Sequence, residues 1–139
     1  MNTDWLIEYP LGFKGYSFLI QDDGDVCYAY LANNDGFIAH VWLYNRTESP
    51  TEYPWVTKNF DADLPQKNPI DFIAKSTFHL PISEDEFHIE SSISDDSVNG
   101  EVKIFIRQQL IACINEQVAV GQSLFASKAG PFARPMVSK

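Results

Sequence analysis

A chain of 139 residues, 45% of them hydrophobic, can bury a core without disulfides or a metal, so we expect one folded domain spanning residues 1–139. The formal net charge of −9 argues against direct binding to nucleic acid or to an anionic membrane, because both need clustered lysine and arginine. The charge is uneven, with 18 acidic and 5 basic residues in 1–101 but 1 acidic and 5 basic residues in 102–139. Such a chain is compatible with a basic protein partner.

The N-terminal residues predict a cytoplasmic protein. The chain begins Met1-Asn2-Thr3-Asp4, with an acid where a signal peptide carries positive charge, and no apolar run of signal or membrane length follows. The two cysteines, Cys27 and Cys113, each lie in an apolar segment. We therefore expect free, buried thiols and not a disulfide framework.

Alternating hydrophobic and polar residues predict three antiparallel strands in the first half of the chain. These strands cover residues 16–21, 26–32 and 37–44. Turn residues separate them at 22–25 and at Asn33-Asn34-Asp35-Gly36, where tolerance of positive φ favours a tight hairpin. We expect the aromatic side chains of these strands, Phe18, Phe37 and Trp42, to belong to the core.

Residues 45–69 predict a long proline-rich loop. Its four prolines cannot donate to a β-ladder, and they favour extended backbone at the residues that precede them. A loop of this length inside a compact domain is usually functional when it is ordered. Asn68 is a candidate cap for a short helix over Ile70–Lys75, and Thr77–Leu80 is strand-like.

The second half predicts a further meander. Its strands cover residues 87–93, 102–106 and 110–115, and a polar loop at 95–100 connects the first two. A helix over 103–118 is the alternative, although the density of β-branched residues favours strands. Ser123 could cap a short helix that stops at Gly130-Pro131. The expected fold is mainly β (α+β being possible): an antiparallel meander of six or seven strands with one or two short helices.

No residue pattern indicates a metal, a cofactor or an enzyme. The acids of residues 22–25 lack the EF-hand register, so we interpret them as solvated turn residues. Asp61 and Asp63 form a carboxylate pair, but no nucleotide-binding frame accompanies them. The three histidines lie on separate segments without the short paired spacing of zinc sites, and no Gly-x-Ser-x-Gly motif supports a hydrolase.

Aromatic residues suggest a binding surface instead. All three tryptophans and all six tyrosines lie within residues 1–60, and two of them, Tyr53 and Trp55, belong to the proline-rich loop. They could anchor a protein interface, or Trp55 could fold inward and hold the loop. The predicted partner-binding residues combine these aromatics with acids expected to be exposed: Glu48, Glu52, Tyr53, Trp55, Asp61, Asp63, Glu84, Asp85, Glu86, Asp95 and Asp96.

Three segments resemble a loosely defined group of small bacterial proteins. They are Val41-Trp42-Leu43-Tyr44-Asn45-Arg46 with the prolines after it, Asn68-Pro69-Ile70-Asp71-Phe72, and Ala129-Gly130-Pro131-Phe132-Ala133. Together they cover about a fifth of the chain, and none is a catalytic motif. Proteins of this kind are similar to the immunity proteins found beside polymorphic or contact-dependent toxins. The resemblance implies a small acidic protein without enzymatic activity, and it assigns no binding residue.

Three functions follow as hypotheses. The first is a cytoplasmic, non-enzymatic inhibitor, an immunity protein that neutralises a bacterial toxin such as a nuclease, whose substrate groove must be positive. The second is a small-ligand-binding domain or enzyme with a pocket between the sheet and the long loop. The third is a structural subunit of a larger assembly.

Overall fold

The computed structural model describes residues 4–52 and 65–136, which form two β-sheets. The first sheet contains β1 (Trp5–Pro10), β2 (Ser17–Asp22), β3 (Val26–Asn33) and β4 (Gly36–Asn45), in that order. The second contains β5 (Phe87–Ser91), β6 (Glu101–Ile106), β7 (Gln109–Asn115), β8 (Gln122–Ser123) and β9 (Arg134–Pro135), also in chain order. The mainly β prediction is confirmed, with nine strands in the described residues where six or seven were expected. All pairs are antiparallel except β8 with β9.

Burial alternates along β1 and β2 but not along β3, whose first six residues are all buried. In β2, Phe18 and Ile20 are fully buried, whereas Leu19 between them is only half-buried. Strand β1, which the sequence analysis did not predict, pairs Ile7 with Ile20 and directs a half-buried face to the same core. Its other face carries Leu6, which is 63% exposed, so the strand lacks a clean alternation of apolar and polar residues.

One hydrophobic cluster joins the two sheets. It includes Phe18, Leu31 and Leu43 from the first sheet and Val102, Ile104 and Ile106 from the second, all fully buried. At about 25 cal/mol per Å² of apolar surface, burial of this cluster is the main stabilising contribution to the fold. Cys27 and Cys113 are free and buried, as predicted.

Strand β4 connects the sheets through its backbone. The His40 N–H donates to the Ala119 carbonyl (2.9 Å), and the His40 carbonyl accepts from the Gly121 N–H (2.7 Å). The Trp42 N–H donates to the Phe132 carbonyl at 2.8 Å. Strand β4 is therefore last in the order of its sheet but has backbone neighbours on both sides.

The predicted helices are wrong in the described residues. The helix expected over Ile70–Lys75 is a 3₁₀ turn at Ile70–Phe72, because Ile73 instead forms a β-bridge with Ala126. Ser123 belongs to β8, and the residues after it form turns. Thr77–Leu80 forms no strand, while an unpredicted 3₁₀ turn occupies Glu84–Glu86.

Two expectations about individual side chains are also wrong. Phe37 was expected in the core but is 65% exposed, because it lies at the start of β4 and stacks on Tyr30 from outside, with ring centroids 4.5 Å apart. Asp22 was expected in a solvated turn but is fully buried, because Arg46 forms an ion pair with it at 2.6 Å. That partner lies 24 residues away, so local sequence patterns cannot reveal it.

Candidate functional site

The strands place their connecting loops at two opposite ends of the domain. We call one the lysine end; it contains loops 11–16, 33–36, 92–100 and 115–120 and is centred on Lys14. We call the other the arginine end; it contains residues 22–25, 46–49, 81–86 and 107–108 and is centred on Arg46. The five residues of β5 separate the two, a distance of about 16 Å along the strand.

A buried ion pair fastens three loops together at the lysine end. Lys14 Nζ lies 2.7 Å from Glu116 Oε1, and the Glu116 side chain is only 1% exposed. The same ammonium donates to the Ser97 carbonyl (2.5 Å) and to Ser97 Oγ (3.2 Å). One ammonium group thus holds loops that lie 83 and 102 residues away from it in sequence.

The hydrogen bonds around Glu116 favour its ionised form. Burial raises the pKa of this carboxyl, but donors from Lys14, Ser97 and Gly100 outweigh burial and lower the pKa below its ordinary value. Ser97 Oγ donates to Oε2 at 2.5 Å, and the Gly100 N–H donates to Oε2 at 2.7 Å. A Cβ at Gly100 would lie 2.8 Å from the Ile93 Cα and 2.7 Å from Glu116 Oε2, so the close approach of this loop to the Ile93 backbone requires glycine.

The lysine end displays hydrophobic side chains in the same loops as exposed acids. Three of the eight exposed large hydrophobic side chains that the structure describes lie there: Phe13 (41%), Val98 (67%) and Val118 (39%). Asp35, Asp95 and Asp96 are exposed in loops of the same end. The one basic residue of these loops, Lys14, is bound to Glu116, so the loops carry net negative charge beside exposed apolar side chains.

The arginine end is organised by a second buried ion pair. Arg46 Nε donates to Asp22 Oδ2 at 2.6 Å, and Tyr44 Oη donates to the same oxygen at 2.7 Å. The Arg46 Nη2 group donates to the Pro81 carbonyl, and its guanidinium lies 5.4 Å from the centre of the Trp5 ring. Burial and the neighbouring Cys27 and Asp22 raise the pKa of Tyr44, so its hydroxyl remains a proton donor. The network is internal and presents no reactive group.

The acids of residues 84–86 serve different roles at this end. Glu84 and Asp85 are exposed, beside Ile82, which is 86% exposed. Glu86 is partly buried and caps its own 3₁₀ turn, with Oε2 accepting from the backbone N–H groups of Ile82 (2.7 Å) and Ser83 (2.9 Å). It also binds the guanidinium of Arg107, so its carboxylate is already occupied within the chain.

Most predicted binding residues are therefore separated. Asp95 and Asp96 lie at the lysine end, whereas Glu48, Glu84, Asp85 and Glu86 lie at the arginine end. Glu48 and Glu52 are exposed after β4, and the Glu48 carbonyl accepts from Lys67 Nζ at 2.9 Å. The predictions for the remaining four residues lie outside the described residues: Tyr53, Trp55, Asp61 and Asp63.

Sequence reasoning missed Lys14 and Glu116, although the sequence contains a signal for both. Lys14 is the only basic residue among residues 1–45, and Glu116 is the only acidic residue among residues 102–139. Each is thus an exception to the charge of its own half of the chain. Such isolated opposite charges are good candidates for a long-range pair.

Cavities of the described residues include two that lie against the sheets. A pocket of about 190 Å³ lies between β4 and residues 73–80, with walls that include Trp42, Tyr44, Phe78 and Phe125. A cleft of about 720 Å³ runs along the edge of β5, beside His88 and Phe105. Within 4–52 and 65–136, no group of three or more His, Cys, Asp or Glu side chains could hold a metal ion. No helix in these ranges is long and apolar enough to cross a membrane.

No family model, curated protein or solved structure matches this chain.

Proposed function

We propose that the chain is a non-enzymatic inhibitor that binds a basic protein, an immunity protein that neutralises a bacterial toxin in the cytoplasm. The observation that carries the proposal is the lysine end, where exposed Val98 lies in one loop with Asp95 and Asp96, and Lys14 joins that loop to the loops of exposed Phe13 and Val118. Protein interfaces combine apolar anchors with a charged rim in this way.

The electrostatics favour a positive partner. The chain carries a net charge of −9, and complementary fields accelerate the encounter of two proteins. A nuclease toxin fits this requirement, because its substrate groove must attract phosphate. An inhibitor that covers such a groove needs a rigid acidic surface and no catalytic group.

Co-expression tests the proposal. The gene beside that of this chain should encode a basic toxin whose expression alone stops growth, and co-expression of this chain should restore growth. The two proteins should also elute together from a sizing column at low salt and separate at high salt, because salt screens the attraction. Continued growth arrest together with separate elution would refute the proposal.

A second candidate, a small-ligand domain, is favoured by the pocket beside Trp42. Its 190 Å³ is comparable to a cavity of about 150 Å³ that holds benzene, so a single aromatic ring would fit. The test is a thermal-shift screen with single-ring aromatic compounds on wild type and on Ala74→Leu, which fills the pocket. A shift seen in wild type and lost in the variant would support this candidate, whereas equal behaviour would exclude it.

A further inference from the structure

We infer that the lysine end, and not the arginine end, is the docking surface. On the partner protein, it binds an apolar pocket that is surrounded by lysine and arginine residues. The inference rests on the proposed function and deepens it, because it names the surface and the chemistry that recognises it.

Exposed apolar side chains are grouped at the lysine end. Val98 is 67% exposed, and Phe13 and Val118, which are also exposed, occupy the two loops that Lys14 joins to the loop of Val98. Soluble proteins tolerate isolated exposed hydrophobic residues, but several on one surface are typical of an interaction site. At the arginine end, Ile82 is the single exposed large hydrophobic among the described residues of its loops.

Both ends of the domain are negative. At the lysine end, the one cation is bound to Glu116, and Asp35, Asp95 and Asp96 form no ion pair among the described residues. At the arginine end, Arg46 and Arg107 pair with Asp22 and Glu86, while other acids there are also exposed and form no ion pair among the described residues: Asp23, Asp25, Glu48, Glu84 and Asp85. The lysine end is therefore distinguished by negative charge in the same loops as several exposed apolar side chains, which is complementary to a hydrophobic pocket with a positive rim and repels acidic proteins.

The loops of the lysine end are also held rigidly. Lys14 binds both Ser97 and Glu116, and the Lys14 N–H donates to Asp95 Oδ1 at 3.2 Å. The loop that carries Asp96 and Val98 is therefore fixed before binding. A surface fixed in advance loses less conformational entropy on association, so more of its contact energy appears as affinity.

The chain offers a matched pair of variants. At the lysine end, Asp96→Lys with Val98→Ser replaces an exposed acid and an exposed aliphatic residue two positions apart. At the arginine end, Glu84→Lys with Ile82→Ser makes the same chemical change. The side chains of Asp96 and Glu84 accept no hydrogen bond within the described residues, so both double variants should fold.

Photocrosslinking in the intact source cell identifies the partner first. Benzoylphenylalanine replaces Val98 in one strain and Ile82 in a second, and adducts are identified by mass spectrometry. The purified protein from the adduct is then titrated with wild type and both double variants. We expect an adduct with a basic protein from position 98 only, at least ~10-fold weaker binding by the lysine-end variant, and less than ~2-fold change for the control.

The outcomes separate the two proposals. An adduct from position 82 alone, or weaker binding by the arginine-end variant alone, would overturn the inference and leave the inhibitor proposal standing. An acidic partner, or a second copy of this chain, captured from position 98 would overturn the inference as well. Absence of an adduct from both positions, in cells where the adjacent gene product is present, would refute both.

Discussion

Replacing Lys14 by methionine should loosen the lysine end. Removal of one partner from a buried ion pair costs about 3–5 kcal/mol, because the other charge remains buried. Here the cost should be about 2–3 kcal/mol, since Lys14 is 24% exposed and Glu116 keeps the donors of Ser97 and Gly100. Urea denaturation at pH 7 measures the change, and Lys75→Met is the control, because Lys75 is exposed and has no partner among the described residues.

The same experiment has a pH dependence of known sign. The pKa of Glu116 is lowered in the folded protein, so its contribution to stability is complete above the ordinary glutamate pKa of about 4.3 and is lost as the pH falls through the folded value. The deficit of Lys14→Met should therefore be largest near neutral pH and shrink in acid. Equal unfolding free energies for Lys14→Met and Lys75→Met at pH 7 would refute this account of the ion pair.

Three further predictions concern the body of the fold. Gln108→Gly should raise stability by about 1 kcal/mol in urea denaturation, because Gln108 has φ 73° in the two-residue β6–β7 hairpin; no gain would contradict the strain argument. Arg46→Lys should cost about 2 kcal/mol, because a lysine cannot reach Asp22 and the Pro81 carbonyl together; a loss under about 0.5 kcal/mol would contradict this. A thiol reagent should label Cys113 slowly, because burial raises the pKa of this thiol to about 11. Cys27 is fully buried and should be labelled only after unfolding; fast labelling under native conditions would overturn its core position.

The parts of the fold that depend on local alternation could be predicted from the sequence. Strands β2 and β6 have one face in the core, so their buried residues recur with a period of two. Strands β3, β4 and β7 are buried on both faces over at least four consecutive residues, and each carries a run of apolar residues. The Asn33-Asn34-Asp35-Gly36 turn was recognisable for the same local reason, because Gly36 has φ 127°. Local patterns failed where tertiary contacts decided the structure, as at Ile73, which pairs with Ala126 and ends the expected helix after one turn.

The candidate site was predictable only in part. Exposure of Asp95 and Asp96 followed from a polar loop between two strands, whereas the capping role of Glu86 needed the register of its 3₁₀ turn. The acids of residues 84–86 and those of residues 95–96 lie at opposite ends of the domain because the five residues of β5 lie between them. The exposed position of Phe37 could not be foreseen, because an aromatic residue in an apolar strand is usually buried.

The two buried ion pairs explain why the acidic loops can hold fixed positions in a small β domain. A buried pair adds little net stability over well-packed hydrophobic residues, since desolvation offsets most of the attraction. Its specific effect here is geometric: Lys14 and Arg46 each bring together loops that the hydrophobic cluster alone would not align. Hydrophobic burial stabilises the sheets, whereas the two ion pairs fix the positions of the loops at their ends. A partner that binds Asp96 and Val98 need not contact Lys14, but Lys14 fixes the loop that carries both residues. Lys14→Met should therefore weaken binding, because that loop is no longer held in place.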